Sequence, residues 1–264
     1  YPASRIKEIT DELGYEDKLV VDGEIFHLWV IEGPGFVKEE FPADKAGLNV
    51  VFTEDLTPYR TIKVRILNGA HTTMVPVSYL YGIDTVRDSV LDEVIGNYIK
   101  QAIFEEIAPT LDLDSKEVEK YAEAVLERFE NPYIRHELMS ISLNSWSKFD
   151  TRVVPSITRY YKDKNSLPKK LIFSLASLIM FYRGKREEES IKLSDDQIIL
   201  EKIENLWSDC NGSEESLKEL AGKILRDRDI LKTDLSGLDG LESLLGRYLV
   251  EIYRNGISKA IKEV

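Results

Sequence analysis

Three polar side chains of different chemical types lie within nine residues of one another in the sequence KVRILNGAH, residues 63–71. Lys63 carries an amine, and an amine at the border of a cleft loses water and exchanges its proton closer to neutral pH. Asn68 carries an amide that can donate to an oxygen on which negative charge develops. His71 can bond an adjacent hydroxyl group and help to hold the lysine. Together, these residue types suit proton transfer at an oxygen atom.

The same three residues also have an ordinary structural interpretation. A lysine is common on surfaces, an asparagine can cap a helix, and a histidine can be satisfied inside a core. If residues 58–71 are helical, a step of about 100° per residue places Asn68 about 140° and His71 about 80° around the axis from Lys63. All three can then border one cleft. The spacing by itself leaves both interpretations open.

Two different sequence patterns meet near residues 56–60. Before this point, a short amphipathic segment at 5–14 and compact β-rich runs at 26–33 and 48–55 predict a small α/β unit. Thr57-Pro58 then provides a capping residue followed by a proline suited to the first turn of a helix. The remainder predicts roughly eight helices, including segments at 86–107, 114–129, 168–183, 195–209, 214–226 and 238–262, with another opening at Asn131-Pro132.

Composition limits the classes of function that fit this chain. Its 264 residues are 43% hydrophobic and 31% charged, as in a soluble globular protein, and the formal charge of −12 argues against nucleic-acid binding. The three histidines and the single Cys210 show no metal-site spacing, so we expect no metal. One cysteine fits a reducing, cytoplasmic setting. The apolar run at 171–182 is shorter than the roughly 20 residues of a membrane span, so we expect no membrane partner.

The residues around Lys63, Asn68 and His71 carry a family resemblance. The sequence TPYRTIKVRILNGAHTTMVPVSYLYGIDTV (57–86), preceded by FHLWVIEGP (26–34), resembles the polyol-specific long-chain dehydrogenase/reductase family of the mannitol dehydrogenases. That family has the pattern Lys-x4-Asn-x2-His, which these three residues match. NPYIRHELMSISLNSWSKF (131–149) and LIFSLASLIMFYRG (171–184) are most similar to its tagaturonate reductase branch. The resemblance spans essentially the whole chain.

The resemblance implies a metal-independent enzyme of two domains. A Rossmann-type domain holds NAD, and a multi-helical C-terminal domain like that of 6-phosphogluconate dehydrogenase supplies the catalytic residues. On this basis residues 1–57 are the short α/β remnant of the NAD-binding domain and residues 58–264 are the mainly α catalytic domain. No G-x-G-x-x-G follows a strand, and the chain begins with Tyr1 rather than Met. We therefore expect a missing N-terminal domain to be its partner and to hold most of the NAD site.

The implied reaction is a reversible hydride transfer between NADH and the sugar acid D-tagaturonate, giving D-altronate. The resemblance assigns Lys63 as general acid and base, Asn68 as stabiliser of the oxyanion and His71 as partner of a substrate hydroxyl. A relative acting on fructuronate or on a polyol such as mannitol stays an alternative. So does a helical interaction module that has no activity when isolated.

A hexuronate also carries a carboxylate, which needs a cationic partner. In the polyol branch an arginine and a lysine eight positions apart contact the substrate. Lys148 matches that lysine, but Ser140 stands where the arginine would be, and this difference favours the uronate branch. We expect Lys148 first and Arg152 second to bind the carboxylate, although Arg152 could equally be an exposed residue opening a loop. Arg135 and His136 are weaker candidates.

Overall fold

The computed structural model describes residues 3–20 and 26–264, and the chain divides into two compact units, residues 1–59 and 60–264. In the first unit, strands β1 (Trp29–Glu32) and β2 (Val50–Thr53) pair in parallel, with Trp29 opposite Val50 and Glu32 opposite Thr53. The elements of this unit are α1 (Ala3–Leu13), β1 (Trp29–Glu32), α2 (Phe36–Glu40), a 3-10 turn (Ala43–Ala46) and β2 (Val50–Thr53). The predicted α/β character of this segment is confirmed.

In the rest of the described chain the regular elements are helices apart from one short hairpin, which confirms the mainly α fold class. Its elements are α3 (Thr57–Ile62), a π-helical segment (Lys63–Asn68), α4 (Gly69–Tyr81), α5 (Val86–Leu91), α6 (Glu93–Gln101), a second π-helical segment (Ala102–Ile107), α7 (Ser115–Phe129), α8 (Leu138–Ile141), α9 (Ser145–Arg152), α10 (Val154–Lys164), α11 (Lys169–Phe181), strands β3 (Lys185–Arg186) and β4 (Glu189–Ser190), α12 (Gln197–Ser208), α13 (Glu214–Arg226), α14 (Leu241–Asn255) and α15 (Ile257–Ala260).

Helix α11 forms the centre of the second unit. Every residue of α11 after Lys169 is buried, and the helix packs against α4 and α14. Helix α4 is itself buried from Thr72 to Ser78. No helix of the described ranges is long and apolar enough to cross a membrane. The apolar run at 171–182 is therefore a core helix, as predicted, and it fixes α4, which carries His71.

Three predictions about helices differ from the structure. Two predicted helices are interrupted by a residue with a non-helical backbone, and one predicted helix start is absent. Asp92 is extended between α5 and α6, and its carboxylate accepts hydrogen bonds from the first turn of α6. Gly256, at φ 75°, separates α14 from α15. Asn131 does not open a helix: its side-chain oxygen accepts from the N–H of Tyr133 in a turn, and the next helix begins only at Leu138. The predicted helices at 86–107 and 238–262 are therefore each divided.

Candidate active site

Lys63 and Asn68 lie at the two ends of the π-helical segment that joins α3 to α4. The N–H of Gly69 donates to the carbonyl of Val64, five residues earlier, as in a π turn. A π turn is wider than an α turn, so each residue advances less around the axis. The prediction of a helix over 58–71 is confirmed, but the angles derived from a regular α-helix are wrong. Segments of this kind are rare and occur frequently at functional sites.

Arg65 ties this π segment to the surrounding helices. Its Nε donates to Ser156 Oγ at 3.0 Å, and its Nη2 donates to Thr110 Oγ1 at 3.3 Å. Burial lowers the pKa of Arg65 to about 10. Because Ser156 and Thr110 are both buried, these bonds hold the middle of the segment against α10 and against the turn after the second π segment.

His71 is held in a setting that keeps its imidazole neutral. Its ring lies 4.4 Å from the ring of Phe129 and 5.2 Å from the ring of His136, measured between centroids. Burial is the main cause that lowers the pKa of His71 to about 3, and the positive charges of nearby basic groups lower it further. Those groups are His136, Arg152, Arg128 and Lys63. Nε2 of His71 is buried and has no hydrogen-bond partner among the described residues, so its hydrogen-bonding capacity is unused.

Lys63 and Asn68 keep their side chains available for a ligand. Lys63 is exposed, so the described residues do not form the cleft that was predicted to remove water from it. Asn68 is half-buried, and its amide has no hydrogen-bond partner among the described residues. The charge of Lys63 still acts on His71, and Asn68 ends the π segment three residues before His71.

Arg152 and Lys148 bring two more positive charges from α9. The Arg152 Nη1 donates to Thr72 Oγ1 at 3.4 Å, and the Lys148 Nζ donates to the Ile141 carbonyl at 2.8 Å. Burial is the main cause that lowers the pKa of Lys148; Arg152 lowers it as well, while Asp195 raises it. Neither cation forms an ion pair with a carboxylate of the described residues. Arg152 ends a helix and is half-buried, so the interpretation as an exposed loop residue is wrong.

The two weaker candidates have different positions. His136 lies beside His71, at the edge of the cluster. Arg135 is exposed and forms an ion pair with Glu137. The sequence did not single out Thr72, Arg128 or Phe129, although each contacts the cluster or acts on it electrostatically. Their only sequence signal is position, because Thr72 follows His71 and the other two end α7.

Comparison with known proteins assigns this helical arrangement to a family. Residues 55–243 match the mannitol dehydrogenase C-terminal domain family, over more than half of the chain. The chain belongs to this family. The family resemblance found in the sequence is confirmed.

Relatives in this family share a name. The chain is 42% identical to the altronate oxidoreductase of Pectobacterium carotovorum subsp. carotovorum (strain PC1), over 99% of its own length and 55% of the relative's length. It is 41% identical to the altronate oxidoreductase of Bacillus subtilis (strain 168), over 100% of its own length and 53% of the relative's. The chain thus spans about half the length of the curated relatives it matches. The likeness to this branch that the sequence indicated is also confirmed.

Two solved structures of sugar-alcohol dehydrogenases show the same fold. A ternary complex of Pseudomonas fluorescens mannitol 2-dehydrogenase with NAD and D-mannitol matches 99% of the chain and 51% of its own chain, with a TM-score of 0.79 and 22% identity. A substrate-free D-sorbitol dehydrogenase matches 98% of the chain and 51% of its own, with a TM-score of 0.74 and 23% identity. At these identities the likeness establishes the fold.

Proposed function

We propose that this chain is the catalytic half of an NAD-dependent oxidoreductase that interconverts D-tagaturonate and D-altronate. The observation that carries the proposal is that Lys63, Asn68 and His71 lie on one continuous helical run and that the charges of Lys63 and Arg152 both act on His71. A proton-transferring amine together with Arg152 and Lys148, neither of which forms an ion pair with a carboxylate of the described residues, suits an anionic sugar acid that carries a reducible ketone. Relatives at 40–42% identity named altronate oxidoreductase support the choice of substrate.

Each predicted side chain has a separate task in this reaction. NADH, when bound, supplies the hydride. During reduction the ammonium of Lys63 protonates the alkoxide that forms, and during oxidation its neutral amine takes the hydroxyl proton. The amide of Asn68 donates to the same oxygen and stabilises its developing negative charge. The neutral imidazole of His71 bonds a neighbouring hydroxyl of the substrate.

Arg152, assisted by Lys148, is proposed to bind the substrate carboxylate. A guanidinium presents several N–H groups in one plane, which allows a bidentate contact with a carboxylate. Arg152 donates one of these N–H groups to Thr72 Oγ1 in a long bond of 3.4 Å and keeps the others for a ligand. The Lys148 ammonium already donates at 2.8 Å to the Ile141 carbonyl. We therefore assign the direct contact to Arg152 and a supporting charge to Lys148.

The described residues do not fit a complete site for the dinucleotide. The helix that follows β1 is α2, which has only five residues, and no G-x-G-x-x-G precedes it. Such a turn cannot form the phosphate-binding strand-to-helix junction of a Rossmann domain. We propose that an N-terminal half like the additional length of the relatives provides most NAD contacts and completes the enzyme. Residues 1–57 are proposed to be the last part of that domain.

Replacing the amine of Lys63 tests the proposed chemistry. In the holoenzyme, meaning this chain joined to its nucleotide-binding half, we expect NADH-dependent reduction of D-tagaturonate. Lys63→Ala should lower kcat by about 10²- to 10⁴-fold, the usual contribution of general acid–base catalysis. The melting temperature should not change, because the Lys63 side chain is exposed. Steady-state NADH oxidation and thermal unfolding measure the two quantities.

Three controls make this result decisive. Lys116→Ala removes another exposed lysine, from α7, and should leave kcat unchanged. D-fructuronate and D-mannitol test the alternative substrates, and faster turnover of either would replace the proposed substrate. The chain without its nucleotide-binding half should not oxidise NADH. Normal activity of Lys63→Ala would show that KVRILNGAH is only a structural helix.

A further inference from the structure

The hydroxyl of Thr72 connects the two halves of the cluster. Thr72 is 6% exposed and directly follows His71 in α4. Its Oγ1 donates to the backbone carbonyl of Asn68 at 2.9 Å and accepts from Arg152 Nη1 at 3.4 Å. A hydroxyl has one proton and two lone pairs. Since the carbonyl takes the proton, the lone pairs are directed to the guanidinium.

The backbone of α9 also lies close to α4 at this point. A Cβ added to Gly69 would lie 3.5 Å from the carbonyl oxygen of Arg152. The main chain of Arg152 is therefore packed against the start of α4, and its side chain returns to the same helix at Thr72. An arginine side chain otherwise has many rotamers, and fixing it before the ligand arrives lowers the entropic cost of binding.

We infer that Thr72 is a positioning residue that holds the guanidinium of Arg152 in the orientation that binds the substrate carboxylate. The bond to Thr72 engages one Nη and leaves the other N–H groups for the ligand. The bond from the Thr72 hydroxyl to the backbone carbonyl of Asn68 fixes this hydroxyl one helical turn after the residue that carries the oxyanion-binding amide. This inference deepens the proposed function and rests on it.

The variant Thr72→Val removes the hydroxyl and nearly preserves the shape of the side chain. In the holoenzyme we expect it to raise the KM for D-tagaturonate about ten-fold or more, the usual effect of losing a hydrogen bond to a charged group. The kcat should change little, because Lys63 and Asn68 remain in place. Thr72→Ser keeps the hydroxyl, so its KM for D-tagaturonate should equal that of the wild type.

The neighbouring Thr73 offers a matched control. It is 2% exposed, and its Oγ1 is buried without a hydrogen-bond partner. Thr73→Val makes the same chemical change one residue away and should leave the KM unchanged. If both valine variants raise the KM equally, the effect comes from packing and the inference is wrong.

A double-mutant cycle with Arg152→Gln tests whether Thr72 acts through Arg152. If it does, Thr72→Val has no further effect on the KM once the guanidinium is gone. An undiminished effect in the Arg152→Gln background overturns the inference. Absence of turnover of D-tagaturonate by the wild-type holoenzyme overturns the proposed function itself. Turnover by the wild type together with an unchanged KM in Thr72→Val overturns only the role of Thr72.

Discussion

At the scale of single residues, His71 makes the stability of the folded chain depend on pH. Because its pKa is lowered to about 3 in the folded chain, it stays neutral there, whereas the unfolded chain protonates it near pH 6.5. Between these values the unfolded state binds more protons, so stability is complete above pH 6.5 and falls as the pH is lowered toward 3. From pH 6.5 to pH 5 this one group should cost about 2 kcal/mol.

The variant His71→Gln isolates this contribution, because glutamine cannot be protonated in either state. We expect the free energy of unfolding of the wild-type chain to fall about 2 kcal/mol more than that of the variant over this interval. Urea denaturation at pH 6.5 and pH 5 measures both differences. Parallel losses in the two proteins would mean that His71 is protonated in the folded chain.

Residue types and spacing made Lys63, Asn68 and His71 candidates because all three lie on one helical run, and the family resemblance then favoured them; their roles stay predictions. The sequence could not show that His71 lacks a partner for Nε2, since that depends on Phe129 and His136 packing around it. The bond between Thr72 and Arg152 joins residues 80 positions apart. Such pairs depend on tertiary packing, and local patterns do not contain them.

At the scale of secondary-structure elements, the second π segment caps the central helix. Pro168 precedes α11 and provides no side-chain cap. The buried carboxylate of Glu106 instead accepts from the N–H of Lys170 at 3.0 Å and from the N–H of Leu171 at 2.9 Å. Burial raises the pKa of Glu106, while these two bonds lower it. A carboxylate at the N-terminus of a helix also interacts favourably with the helix dipole.

Removing this cap should destabilise the helical core. Glu106→Ala leaves two buried N–H groups without partners and should lower the free energy of unfolding by about 3 kcal/mol. Glu105→Ala is the matched control, because its side chain is 58% exposed and accepts from no N–H of α11 among the described residues, although it forms an ion pair at 3.3 Å with the buried Lys170. We expect a loss below about 1 kcal/mol for that variant. Equal losses in denaturant titrations would contradict a capping role for Glu106.

Most helices and both parallel strands could be predicted from apolar periodicity and from turn residues. The breaks at Asp92 and Gly256 were missed, because a single extended or left-handed residue interrupts the chain without changing the apolar period. The π segments were missed for a related reason. Their widened turns are held by side chains from distant elements, as Arg65 is by Ser156 and Thr110.

At the scale of the whole molecule, the proposed site residues all belong to the second unit. Lys63, Asn68, His71, Lys148 and Arg152 lie within residues 60–264, which have their own buried core. Among residues 5–20 and 26–59 of the first unit, none is buried. Because the site and this core lie in the same unit, the free energy of unfolding of the second unit reports the stability of the site without an activity assay.

This division predicts that residues 55–264 fold on their own. A fragment starting at Asp55 keeps the carboxylate that accepts from the N–H of Thr57 at the start of α3. We expect it to unfold in one cooperative transition within about 4 °C of the full chain. Residues 1–59 alone should show no cooperative transition, because side chains such as Leu19 and Phe36 are 83% and 57% exposed and form no core. Calorimetry of both fragments tests this, and a cooperative transition in 1–59 or a much less stable 55–264 would refute the division.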